Sequence, residues 1–209
     1  MPCEANPLLD QFKPFHSICE FLTAVHVYAE PAREGKCRYV EATHYCAHQK
    51  HDLRQCLIYD SHEQDARLIG VEYMVPAHVY ETFADAEKRL WHSHEYEVKS
   101  GMLILPRPAG KTEAEWEALE LEAMREITTL YGKTWHFWET DKGHPYPFGA
   151  PALMGSATSD DQIDLDVAMK RRNETFGVDH KAKAKAREGI PVPEIHKYAN
   201  SWWKESEGK

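Results

Sequence analysis

Residues 53–75 read LRQCLIYDSHEQDARLIGVEYMV, and their reading decides the fold. Leu53–Tyr59 and Arg67–Val75 are short runs rich in apolar, β-branched and aromatic residues, the make-up of strands. Asp60-Ser61 and the polar residues through Asp65 supply the turn between them. Sequential strands joined by so short a link pair antiparallel, because a parallel pair needs a crossover of a dozen or more residues.

On the N-terminal side, Arg38–His48 reads as a third strand. Pro14–Ala29 reads as a helix, with Pro14 in its first turn. Phe15, Ile18, Leu22, Val25 and Ala29 fall on one face at three- and four-residue spacing. Glu30-Pro31 ends it, since the residue before proline is pushed out of the helical region.

On the C-terminal side, Pro76 opens a helical stretch to about Trp91, and Val98–Leu105 reads as a strand closed by the Pro106–Gly110 loop. Thr112-Glu113-Ala114-Glu115 is a capping box. Trp116, Leu119, Ala123, Ile127 and Leu130 follow as one apolar face, with Gly132 as the helix stop. Thr134–Glu139 is a short aromatic strand, and Gly143–Pro151 a proline-rich structured loop. The order predicts an α+β fold, a mainly antiparallel sheet with packed helices, as a single domain over residues 1–155. Leu165–Phe176 reads as a short helix capped by Gly177, and Lys181, Lys183, Lys185 and Arg187 as a solvated basic face. Residues 156–209 are expected to form a C-terminal arm or partly ordered tail that adds little to the core.

The chain has 209 residues, 42% of them hydrophobic and 11% aromatic, enough for one real core. A formal charge of −9 argues against nucleic acid as a partner. No run approaches the roughly 20 apolar residues of a membrane span, and Met1–Asp10 holds no long apolar run. The five cysteines (Cys3, Cys19, Cys37, Cys46 and Cys56) have no CxxC spacing. They read as reduced thiols in a reducing, cytoplasmic compartment.

The 13 histidines carry more information, because seven lie between His44 and His94. His44 and His48 share a face on a strand or on a helix. His92 and His94 converge only in extended backbone, where a His–x–His pair can chelate one metal ion. Glu95 and Glu97 would then point the other way. Glu72, inside the apolar run Leu68–Val75, is the better carboxylate, since a buried glutamate is costly unless paired or bound. His44, His48, Glu72, His92 and His94 are therefore the candidate ligands for a divalent iron, copper, manganese or zinc ion. The plainer alternative is hydrogen-bonded histidines on half-buried strands and a strand face turned to water at Glu72. No nucleophile elbow, Walker A loop, GxGxxG loop or HExxH motif occurs. A Cys–His nucleophile pair at Cys46 or Cys56 is weaker than simple burial of those cysteines.

Several strings resemble the oil body-associated proteins (DUF1264-like) of plants and their fungal and bacterial relatives. They are Val40-Glu41-Ala42 with His44-Tyr45-Cys46 and His48; Arg54-Gln55-Cys56 with Ile58-Tyr59-Asp60-Ser61; and Ala66–Tyr73. Further on they are LWHSHEYEVKSG at 90–101, Tyr131-Gly132-Lys133, and Gly149–Met154. The resemblance runs from about Lys13 to Met154. It implies a location at seed lipid bodies and no particular reaction; the metal role comes from residue type and spacing alone. Two functions follow as expectations. One is a metal-dependent enzyme acting on a small molecule, of oxygenase or hydrolytic type. The other is a non-catalytic accessory protein in peripheral contact with lipid droplets.

Overall fold

The computed structural model describes residues 11–207. Its framework is seven strands: β1 (Ile18–Tyr28), β2 (Tyr39–His48), β3 (Arg54–Tyr59), β4 (Leu68–Pro76), β5 (His92–Ser93), β6 (Leu130–His136) and β7 (Ala152–Gly155). Around them lie α1 (Lys13–His16), α2 (Ala29–Arg33), α3 (Ala77–Tyr80), α4 (Asp85–Lys88), α5 (Glu95–Lys99), α6 (Glu113–Ile127), α7 (Leu165–Ala168), α8 (Lys170–Phe176), α9 (His180–Ala186) and α10 (Ser201–Glu207).

The fold is α+β with an antiparallel sheet, and that sheet closes. The strand order is β4-β3-β2-β1-β7-β6, and β6 pairs back onto β4 to make a six-stranded barrel. The second edge of β6 is shared: β7 takes Thr134–His136, and the short β5 takes Tyr131 and Gly132. Closure matters because it removes unpaired edges and creates an enclosed interior. Leu22, Ala24 and Tyr28 from β1, Val40, Ala42 and Cys46 from β2, and Ile58 and Met74 from β3 and β4 fill much of it.

The strands at 39–48, 54–59 and 68–76 match the sequence reading within a residue or two. Several other elements do not. Pro14–Ala29 is not a helix: after one turn at Lys13–His16 it becomes the 11-residue strand β1. Leu22 and Val25 are buried as expected, but Phe15 is 58% exposed. Alternation is hidden in β1 because both faces are covered. Leu22 and Ala24 point into the barrel, while Val25 and Val27 pack outward against residues beyond 156. The helical stretch expected after Pro76 is two single turns, α3 and α4. Val98–Leu105 is not a strand either; α5 runs into a left-handed turn at Gly101, and only Ile104 bridges to Thr23 of β1.

Helix α6 has the expected capping box, with Thr112 accepting from Glu115 N–H and the Glu115 side chain reaching back to the Thr112 amide. Its inward stripe is Glu120, Met124 and Ile127, with Leu119 exposed. Glu120 is buried because it accepts from the Leu105 amide and pairs with Lys183 and Arg187. Gly132 sits inside strand β6, not at a helix end.

The segment after Ser156 contributes to the core, contrary to the sequence expectation. Trp202 and Trp203 are buried against Val27, Ala29 and Ala32. Gly155 permits this, since a Cβ there would collide with the Trp202 indole. The basic run is only partly solvated. Lys181 is exposed and paired with Asp166, but Arg187 is buried and donates to the carbonyls of Val98 and Leu103. The cysteines differ as well: Cys46 and Cys56, directly opposite on β2 and β3, form a disulfide, while Cys19 and Cys37 are free. Cys3 lies outside the described residues. Among the described residues no helix is long and apolar enough to cross a membrane.

Candidate metal centre

Inside the barrel the strands bring together a cluster of imidazoles around one carboxylate. Glu72 on β4 lies opposite Cys56 of β3 and Thr134 of β6, and its inward side chain is 1% exposed. His44 on β2 points to the same space. His92 on β5 is placed by pairing with Gly132, and His94 follows one residue past the strand. The His92 and His94 ring centroids are 4.9 Å apart, although His94 itself has left the extended conformation to start α5.

Glu72 is the hub. Its Oε2 lies 3.1 Å from His44 Nε2 and 3.8 Å from His26 Nε2. Its Oε1 lies 3.3 Å from His92 Nε2 and 3.5 Å from His94 Nε2. Despite these approaches, neither oxygen makes a well-directed hydrogen bond. A buried carboxylate left so is costly, and imidazole nitrogens converging on it are the donor set of a transition-metal site. The ligand atoms of Glu72, His92 and His94 lie within 4.8 Å of one another, and so do those of His26, His44 and Glu72.

Gly132 makes room for this arrangement. A Cβ there would overlap Glu72 Oε1 and come within 2.8 Å of Cε1 of both His92 and His94. The Tyr131-Gly132-Lys133 string thus has a geometric reason inside the barrel.

Surrounding groups set ring orientation and charge. His94 Nδ1 is 3.1 Å from the Leu130 carbonyl. A carbonyl can only accept, so Nδ1 carries a proton and Nε2 is the nitrogen that faces the cluster. Burial works to lower the His94 pKa, but contact with Glu72 and the charge of Glu97 outweigh it and push the imidazole up to about 9. Burial likewise works to raise Glu72, and the imidazoles of His44, His92 and His94 hold it well below the usual carboxylate range. His26 and His136 are driven the other way, mainly by burial and then by His44; His136 is pulled down to about 3. Both remain neutral near pH 7, in the state that offers a lone pair.

Of the five sequence candidates, His44, Glu72, His92 and His94 meet here. His48 does not. It lies four residues beyond His44 on β2, roughly 13 Å along the strand, where it is exposed and pairs with Glu20. Three residues of the cluster were missed. His26 lay hidden in the stretch read as a helix, and His136 in the string read as a short aromatic strand. Glu97 was assigned to the opposite face, but the chain turns helical at Glu95 and returns Glu97 Oε1 to 3.5 Å from His92 Nε2.

The fold and the cluster define an antiparallel β-barrel protein with a buried His–carboxylate centre. A family model described as "Protein of unknown function (DUF1264)" matches residues 12–191. The chain is 40% identical over 199 residues to oil body-associated protein 1A of Zea mays, covering 94% of this chain and 79% of that protein. It is 38% identical over 198 residues to oil body-associated protein 1B of Arabidopsis thaliana, covering 94% and 77%. Oil body-associated protein 2A of Zea mays is 34% identical over 188 residues, covering 89% and 69%. The chain therefore belongs to the DUF1264 family of oil body-associated proteins. No solved structure matches it.

Proposed function

We propose that this member of the family is a metal-binding protein whose barrel holds a transition-metal ion on Glu72, His92 and His94, with His44 on the far side of the carboxylate. The observation that carries the reading is the setting of Glu72: buried, approached by the imidazoles of His44, His92 and His94 and without a well-directed hydrogen bond. Imidazole and carboxylate ligands suit iron, copper, manganese and zinc. Such an ion, with a coordination position left open, polarises a substrate or activates water or oxygen.

On this reading the protein is an enzyme acting on a small molecule, with oxygenase-type or hydrolytic chemistry. The site's burial restricts the reactant: His92 is 0% and His94 1% exposed, so water or dioxygen reaches it more readily than a bulky ester. The same burial favours a second reading, a metal that stiffens the barrel of a non-catalytic protein seated at lipid droplets. The names of the relatives support that location. The exposed rings of Phe12 and Phe15 offer a peripheral apolar contact.

Elemental analysis of untagged protein tests the shared premise. Stoichiometric iron, copper, manganese or zinc, lowered in a His92→Ala, His94→Ala double variant, supports it. A folded, metal-free protein that takes up none of the four ions refutes it. Oxygen uptake or ester turnover by the loaded protein, set against flotation with lipid droplets, then separates catalyst from accessory protein.

A further inference from the structure

We propose that the centre is dinuclear, with Glu72 as a bridging carboxylate; this rests on the metal-binding reading above. The two oxygens of Glu72 face two different pairs of imidazoles. Oε1 meets His92 and His94; Oε2 meets His44 and, farther off, His26. These make two separate triads of ligand atoms, each within 4.8 Å, sharing only Glu72.

The second triad carries its own supporting contacts. His26 Nε2 and His44 Nε2 approach to 2.9 Å, edge to face, with ring centroids 4.8 Å apart. Two imidazole nitrogens brought so close beside a carboxylate oxygen share either one proton or one cation. His26 Nδ1 in turn lies 2.9 Å from His136 Nε2. A hydrogen bond at the far nitrogen is the usual device that orients a ligand ring and fixes its tautomer. Glu97 stands beside His92 on the first triad and supplies a second carboxylate.

A carboxylate that binds one ion through each oxygen holds the pair about 3.5–4 Å apart, the spacing of two-metal sites. Glu72 and Glu97 bring two negative charges, so two divalent ions leave an excess of positive charge that hydroxide drawn from water can neutralise. Such a pair activates that water or binds a small anion between the ions, which makes a small oxyanion or dioxygen a better reactant than a neutral lipid.

The test is metal stoichiometry in the full chain. Metal-stripped, untagged protein is dialysed to equilibrium against zinc(II), and bound zinc is counted. Two equivalents per chain are expected in the wild type and in His48→Gln. One is expected in His26→Gln, one in the His92→Gln, His94→Gln double variant, and none when all three changes are combined. A wild type that saturates at one equivalent, unchanged by His26→Gln, overturns the dinuclear proposal and leaves the single-ion reading standing; zero equivalents overturns both. Because His26→Gln can misfold, the wild type is also loaded with manganese(II) and examined by electron paramagnetic resonance. An exchange-coupled pair supports the bridge, and the six-line spectrum of isolated ions at full loading contradicts it.

Discussion

Asn200 grips Ser93 through both ends of its amide: Oδ1 accepts from the Ser93 N–H at 3.0 Å, and Nδ2 donates to Ser93 Oγ at 3.0 Å. The Asn200 backbone N–H also donates to the Trp91 carbonyl at 3.1 Å. The C-terminal arm thus fastens the three-residue stretch that carries His92 and His94. Asn200 does so from a left-handed backbone (φ 57°), which asparagine tolerates better than most residues.

Asn200→Ala is expected to leave the buried Ser93 N–H and hydroxyl without partners, a loss of about 1–3 kcal/mol. For a chain of this length that is roughly 2–4 °C in Tm per kcal/mol. Asn200→Gly relieves the backbone strain but not the missing amide, so it should recover only part of the loss. Both variants should bind metal more weakly than the wild type. Thermal unfolding and metal titration read the two effects, and unchanged metal affinity would uncouple the arm from the site.

Trp202→Ala should cost about 3–5 kcal/mol, the range for truncating a large buried aromatic. The indole is fully buried against Val27, Ala29 and Ala32. Chemical denaturation checks this. A loss below about 1 kcal/mol would mean that the arm rests on the barrel without supporting it.

Gly132→Ala should lower metal uptake while leaving a folded barrel, because the added methyl occupies the space between Glu72, His92 and His94. Gly189→Ala is the control; no atom lies within 4 Å of its would-be Cβ. Circular dichroism establishes folding and elemental analysis the metal content. Full metal content in Gly132→Ala would mean that the ligands can retreat.

The metal-free protein should be least stable at both ends of the pH range, for different reasons. His94 is raised to about 9. Its stabilising contribution is complete below the unfolded value of about 6.5 and is lost as pH rises through 9. Glu72 is depressed, so its contribution is present above about 4.5 and is lost as pH falls. His26 and His136 are also depressed; below about 6.5 the unfolded chain binds protons that the native one refuses, which again lowers stability toward acid. Denaturation midpoints of chelator-treated protein from pH 4.5 to 9.5 should trace this dome. In His94→Gln the alkaline loss should flatten, and persistence of the full slope would assign it to another group.

How much of this was legible in the sequence follows from what covers each element. Strands β2, β3 and β4 announced themselves through short apolar runs with a polar turn at Asp60. Helix α6 did so through Thr112 and Glu115, whose capping chemistry is local. Strand β1 did not, because Val25 and Val27 face the arm while Leu22 and Ala24 face the barrel. A run buried on both sides loses the period-two signal and fits helical spacing as well. That one misreading hid His26. Glu72 stood out as a carboxylate inside an apolar run, and His92 and His94 as a His–x–His pair. His48 had the right spacing to His44 but sits at the strand's open end, and only the closed barrel reveals that. The arm's packing was foreshadowed by Trp202-Trp203, too apolar a pair for a solvated tail.

The most direct measurement is anomalous diffraction from crystals of untagged protein grown with manganese or zinc, collected at the metal's absorption edge. The account predicts a peak inside the barrel within bonding distance, about 2.0–2.3 Å, of Glu72 Oε1 and of Nε2 of His92 and His94. An interior without anomalous density, with the ions found only at exposed histidines such as His48 or His78, would contradict it.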